Sequence, residues 1–207
     1  MLKHHGYNVI VLEQEIMPRR EGYDAGIKIG PANEEFLKRH DRVKRDMIIT
    51  CNPGFMIDVN GHPKAQRGQT MLMTSWGLMV SVLRANFDGL TSTAVPVAPE
   101  SQSTDGKADF RFGIRVTNIE EVDDKVKVHF LDVNSGVTQT LSADITIVAD
   151  GSNSTMRNML LPGVRREYTG YMCWRGTVRE GDIDEEWNKI YSDKATFHLM
   201  NRTYLLK

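Results

Sequence analysis

Ala143-Asp144-Ile145-Thr146-Ile147-Val148-Ala149-Asp150-Gly151-Ser152-Asn153-Ser154-Thr155-Met156-Arg157 is the stretch on which the fold turns. Its first half is a short apolar, β-branched run, the composition of a strand buried on both faces. The run ends at Asp150-Gly151, and Ser152, Asn153, Ser154 and Thr155 each offer a helix cap. Open α/β sheets place ligands where a strand stops at such a turn and a helix begins. Taken alone, the same residues also fit a plain strand-to-helix turn, in which Asp150 caps and Gly151 only redirects the chain.

Upstream, Leu2-Lys3-His4-His5 followed by Gly6 reads as the last turn of a helix with its C-cap. Asn8 to Leu12 then forms a buried strand that ends in Glu13. In a dinucleotide-binding βαβ unit, the carboxylate at the end of the second strand accepts hydrogen bonds from the adenosine ribose. The G-x-G-x-x-G turn of that unit is expected roughly 20 residues earlier, which places it before Met1. Met17 to Gly30 is broken by Pro18, Gly22, Gly26 and Gly30. Within it, Ala25 to Gly30 reads as a short extended segment, either a packed loop or backbone lying against a cofactor. Pro31-Ala32-Asn33 opens a helix towards His40.

Met47–Cys51 and Phe55–Val59 read as two strands, and Asn60-Gly61 as a hairpin turn. Thr74-Ser75 caps an amphipathic helix from Trp76 to Phe87, with Trp76, Met79, Val80 and Leu83 as its inward face. Thr91 to Lys107 is an irregular connection. Phe110–Ile119, Lys125–Val133 and Val137–Leu141 form an antiparallel meander turning at Asp123-Asp124 and Asn134-Ser135-Gly136. It feeds the Ile145–Ala149 strand, and a short helix closes at Met159-Leu160-Leu161. Tyr168 to Val178 reads as a new strand system, Trp187 sits on a small helix, and Ala195 to Leu206 is further strand.

The 207 residues are 40% hydrophobic and 26% charged with a formal charge of −1, the balance of a soluble globular protein with no nucleic-acid partner. Cys51 and Cys173 match no metal or redox spacing, and the six histidines lack ligand spacing. A reduced, cytoplasmic protein follows. No apolar run approaches the ~20 residues of a membrane span, and Val9–Leu12 is too short for the core of a signal peptide.

Together these residues resemble the class A FAD-dependent aromatic hydroxylases, the flavoprotein monooxygenase family of para-hydroxybenzoate and salicylate hydroxylases. Asp150-Gly151-x-x-Ser154-x-x-Arg157 matches the family's D-G-x-x-S-x-x-R motif, associated with FAD and NAD(P)H. Glu13 matches the ribose-binding acid, and Ala25-Gly26-Ile27 falls at the loop beside the flavin. Tyr168-x-Gly170-Tyr171-x-x-Trp174-Arg175-Gly176 resembles the branch that contains 2,6-dihydroxypyridine hydroxylase. Two parts of the family pattern are absent from these residues, the N-terminal glycine turn and the later G-D-x-x-x-x-x-P segment. The Arg that many relatives carry near Ser75-Trp76 is absent as well.

The resemblance implies an α/β chain: a Rossmann-like FAD-binding domain, incomplete, with an antiparallel β-meander and the start of a β-rich substrate domain. The division implied is residues 1–165 for FAD and NAD(P) and residues 166–207 for the substrate domain. It further implies FAD as cofactor, NAD(P)H as co-substrate and a small aromatic or heteroaromatic substrate hydroxylated with O₂. Glu13, Gly26, Asp150, Gly151 and Arg157 become the cofactor-binding candidates. No catalytic side chain is nominated, because the cofactor carries the chemistry. A non-catalytic remnant that does not hold flavin stably, lacking the glycine turn, stays open as a second reading.

Overall fold

A computed structural model describes residues 1–17, 25–65, 70–174, 176, 178–192 and 194–206. Contacts divide the chain into two units, Met1–Arg20 with Gln102–Cys173 and Glu21–Ser101 with Trp174–Lys207.

The first unit begins with a single 3₁₀ turn, Lys3–His5, closed by Gly6. β1 (Val9–Leu12) pairs in parallel with β6 (Ala108–Arg111), Val9 opposite Ala108 and Leu12 opposite Arg111. A parallel pair is reached because the chain leaves for the second unit between them, the long crossover that parallel pairing needs. The expected meander follows as β7 (Ile114–Val122), β8 (Lys125–Asp132) and β9 (Thr138–Ala143). Its alternation sorts the faces as the sequence predicts: Val128 and Phe130 are buried, whereas Lys125 is exposed. α3 (Thr155–Leu160) lies against β7 and contributes Met156 to the buried set.

The Ile145–Ala149 run departs from expectation: it is not a strand. Ile145 and Ile147 are 79% and 71% exposed, while Thr146 turns inward. The run keeps the alternation of a strand, but no described segment hydrogen-bonds to it as a neighbour. β-propensity records how well side chains fit a paired, half-buried surface, and unpaired backbone gains nothing from it. Tyr168–Val178 departs in the same way. Its described residues are irregular, with Tyr168, Tyr171, Met172 and Trp174 exposed. Arg175 and Thr177 lie outside the described residues, as do Pro18 and Gly22.

The second unit is built on one mixed sheet: β2 (Gly26–Ile29), β3 (Ile49–Ile57), β4 (Pro63–Ala65), β5 (Met71–Ser75), β10 (Lys194–Met200) and β11 (Thr203–Leu206). The order is β11-β10-β3-β5-β2, with β4 also paired to β3. Only β3 and β10 run parallel among these pairs. The two strands expected over residues 47–59 are one, because Pro53-Gly54 does not break it. The β3–β10 register shifts here, with Gly54 and Phe55 of β3 opposite the single residue Thr196 of β10. A Cβ on Gly54 would stand 2.5 Å from Thr196 Oγ1 and 2.6 Å from the Ala195 carbonyl oxygen. Glycine therefore lets the two backbones meet.

α1 (Pro31–His40) starts with proline at its first position, and α2 (Trp76–Asp88) is capped by Ser75 Oγ, which accepts from the Leu78 N–H at 3.2 Å. Leu37, Met47, Val82, Ala85 and Val95 form the core beneath them, with Met79 packed alongside. The inward face of α2 is thus rotated from the one predicted, and Trp76 and Leu83 are half-exposed. The run from Leu78 to Leu83 is apolar nearly all round, so periodicity alone does not choose its stripe. Buried Asn86 fixes it. Its Oδ1 accepts the Arg42 N–H at 2.7 Å, and its Nδ2 donates to Asp41 Oδ1 at 2.7 Å and the Val82 carbonyl at 2.8 Å. α4 (Glu185–Tyr191) carries Trp187 on a small helix, as expected.

Candidate cofactor site

Glu13 sits at the carboxyl end of β1. Its N–H donates to the Arg111 carbonyl at 2.9 Å and its carbonyl accepts from Ile114 at 2.9 Å, so the corner between β6 and β7 holds it at both sides. One carboxylate oxygen accepts the Glu15 N–H at 2.9 Å. The other oxygen has no partner among the described residues, and an ionised carboxylate only accepts hydrogen bonds. It suits a hydroxyl donor such as a ribose.

The turn from Asp150 to Arg157 is organised by Ser154, which is 3% exposed. Ser154 Oγ accepts the Arg157 N–H at 2.9 Å, the N-cap bond of α3. The Asp150 carboxylate stands beside this cap, and its Oδ2 accepts the Met156 N–H at 3.4 Å. Partial burial pushes the Asp150 carboxyl up. The Ser154 hydroxyl and the N–H groups of Met156, Asp150 and Thr155 more than offset that, and it ends below the usual carboxylate range. Asp150 is therefore a fixed anion at neutral pH.

Gly151 has φ +79°, and a Cβ there would meet no atom within 4 Å. The constraint is the backbone angle, with open space in front of it for a close-lying ligand. Arg157 extends from α3 and donates from an Nη to the Ser152 carbonyl at 2.6 Å, folding its guanidinium back over the turn. Asp150, Gly151 and Arg157 thus form one local cluster, and Glu13 stands on the same unit. Gly26 lies in β2 of the other unit, where it pairs with Ser75. A Cβ there would come only into ordinary contact, 3.7 Å from Met73 Cε. Ser154, absent from the candidates read from sequence, caps the helix that carries Arg157. Its place in the D-G-x-x-S-x-x-R spacing was the available signal.

These groups fit a flavin nucleotide: two carboxylate acceptors for sugar hydroxyls, an open glycine turn and a guanidinium for phosphate. Among the described residues, no group of three His, Cys, Asp or Glu could hold a metal ion. No helix among them is long and apolar enough to cross a membrane.

A family model described as FAD binding domain matches residues 93–191, which include the whole Asp150–Arg157 turn. A 6-hydroxynicotinate 3-monooxygenase from Bordetella bronchiseptica is 29% identical over 178 residues, 82% of this chain and 41% of that protein. An FAD-dependent urate hydroxylase from Klebsiella pneumoniae is 42% identical over 102 residues, 46% of this chain and 24% of that protein. The solved structure of 2,6-dihydroxypyridine-3-hydroxylase from Arthrobacter nicotinovorans superposes with a TM-score of 0.72 at 22% identity, covering 95% of this chain and 44% of that one. At that identity the likeness establishes the fold, an α/β FAD-binding domain with its meander. The chain spans less than half the length of these relatives. The flavin-domain match thus runs through the Asp150 turn, and the chain is similar in sequence to FAD-dependent hydroxylases over parts of their length.

Proposed function

We propose that this chain is the FAD- and NAD(P)H-handling part of a cytoplasmic monooxygenase that hydroxylates a small aromatic or heteroaromatic substrate with O₂. The observation that carries the reading is the flavin-domain match across a turn whose carboxylate is held ionised. The relatives' names support the substrate class, since 6-hydroxynicotinate, urate and 2,6-dihydroxypyridine are all small nitrogen heterocycles. In this reading residues 1–165 hold the FAD- and NAD(P)-binding domain. Residues 166–207 begin a substrate-binding domain, with β10 and β11 extending the sheet of β3 and β5.

When bound, FAD supplies the redox chemistry that takes electrons from NAD(P)H and delivers oxygen to the ring. The side chains bind and orient. With FAD bound, Glu13 would accept from the adenosine ribose and Asp150 from the ribityl and sugar hydroxyls, and Gly151 would let the backbone approach the phosphates. Arg157 would place positive charge beside the pyrophosphate. The test is NAD(P)H oxidation by the whole enzyme with 6-hydroxynicotinate, urate and 2,6-dihydroxypyridine as probes. The expected result is oxidation stimulated several-fold by at least one probe, with a hydroxylated product. Oxidation that no heteroaromatic probe stimulates would refute the reading.

A further inference from the structure

The corner that joins β6 to β7 grips the segment from Glu13 to Glu15 by three backbone bonds. The Glu13 N–H donates to the Arg111 carbonyl, the Ile114 N–H to the Glu13 carbonyl and the Gly113 N–H to the Glu15 carbonyl, each at 2.9 Å. Glu15 is thereby fixed at both ends, because its own N–H donates to the Glu13 carboxylate at 2.9 Å. The amide that aims the carboxylate thus belongs to a residue anchored on Gly113. That residue is buried, with φ at +68°, an angle that L side chains rarely adopt. A Cβ there would stand 2.6 Å from Asn134 Nδ2 and 3.5 Å from Ile16 Cγ2. The Asn134 amide ends a flexible side chain and can move aside, but the backbone angle has no such outlet. The Gly113 carbonyl also accepts the Val133 N–H at 2.7 Å. Relief by rotation about the Gly113 N–Cα bond therefore breaks either this bond or the one to Glu15.

We infer that Gly113 is a positioning residue: acting through the Glu15 peptide, it sets the direction of the Glu13 carboxylate and so the affinity for the adenosine end of the cofactor. A carboxylate already aimed loses little side-chain freedom when its ligand arrives, which is how preorganisation raises affinity without a new contact. Gly113 lies outside every motif read from the sequence. Its hold on Glu13 stands on the hydrogen bonds alone, whereas its effect on FAD rests on the ribose-accepting reading of Glu13 above.

The experiment follows amide hydrogen exchange in the purified chain and titrates it with FAD, for the wild type, Gly113→Ala, Glu13→Ala and the double variant. Gly89→Ala is the control, since Gly89 ends α2 in the other unit with φ at +76° and brings similar backbone strain away from the corner. Circular dichroism confirms folding. Without ligand, the Glu15 amide should be protected in the wild type and the control. It should exchange about tenfold faster in Gly113→Ala and in Glu13→Ala. FAD affinity should fall about fivefold in Gly113→Ala and about tenfold in Glu13→Ala, with no further loss in the double variant, because both changes remove one interaction. A Glu15 amide unprotected in the wild type, protection unchanged in Gly113→Ala, additive losses in the double variant, or an equal loss of affinity in Gly89→Ala would overturn the inference. If Gly113→Ala does not fold, the wild type decides. FAD should slow exchange at its Gly113 and Ile114 amides, and exchange unchanged there would overturn the inference. A wild type that binds no FAD refutes the flavin reading, and Glu15 exchange alone then decides the role of Gly113.

Discussion

Replacing Ser154 with alanine removes the hydroxyl on which the Asp150 turn converges. The Arg157 N–H, now donating to Ser154 Oγ at 2.9 Å, loses its cap partner. Loss of such an N-cap costs about 1 kcal/mol, and Ser154 is 3% exposed, so water does not replace it freely. Only one heavy atom is removed, so the cap bond dominates the cost. An opening cost lower by about 1 kcal/mol makes local unfolding of α3 roughly fivefold more frequent. Amide hydrogen exchange resolved along Thr155–Leu160 reads that number directly.

The change also has a pH signature. In the wild type Asp150 is held below the usual carboxylate range. Its contribution is present above the ordinary value of ~3.9 and is lost as pH falls through the lower folded value. Without the Ser154 hydroxyl, the burial that pushes Asp150 up meets only the backbone N–H groups, and the carboxyl rises. The gap between wild type and variant is therefore widest above pH ~4 and narrows below it, by only a few tenths of a kcal/mol, because Asp150 is exposed to solvent. Exchange at α3 unchanged within twofold at pH 7, or a gap that widens on acidification, would refute the reasoning.

Asn86→Ala strips three hydrogen bonds from a buried site and leaves the Arg42 N–H without its acceptor. The expected loss is about 1–3 kcal/mol, read as a lower urea midpoint, whereas an unchanged midpoint would show that water replaces the network. Gly54→Val places a branched side chain where a Cβ already stands 2.6 Å from the Ala195 carbonyl oxygen. The β3–β10 pairing should open, at a cost of about 1–3 kcal/mol, seen as rapid exchange at the Phe197 and His198 amides. Protection retained there would contradict the close approach.

The sequence made legible whatever depended on local chemistry. α1 announced itself by Pro31, α2 by Ser75, and the meander by alternation around Asp123-Asp124. The Asp150–Arg157 turn was legible because its caps and its acid lie within eight residues of one another. What required a partner was not legible. Ile145–Ala149 and Tyr168–Val178 have strand composition, yet strands exist only where a neighbour supplies the other half of each hydrogen bond. The inward face of α2 depended on Asn86 meeting Asp41, a contact across 45 positions.

FAD titration of this chain, followed by quenching of flavin fluorescence, tests the central claim most directly, with Asp150→Ala and Glu13→Ala alongside. The account predicts saturable binding at one FAD per chain, weakened about tenfold in each variant through loss of a charged acceptor. The absence of saturable binding, or equal affinity in all three proteins, would contradict it.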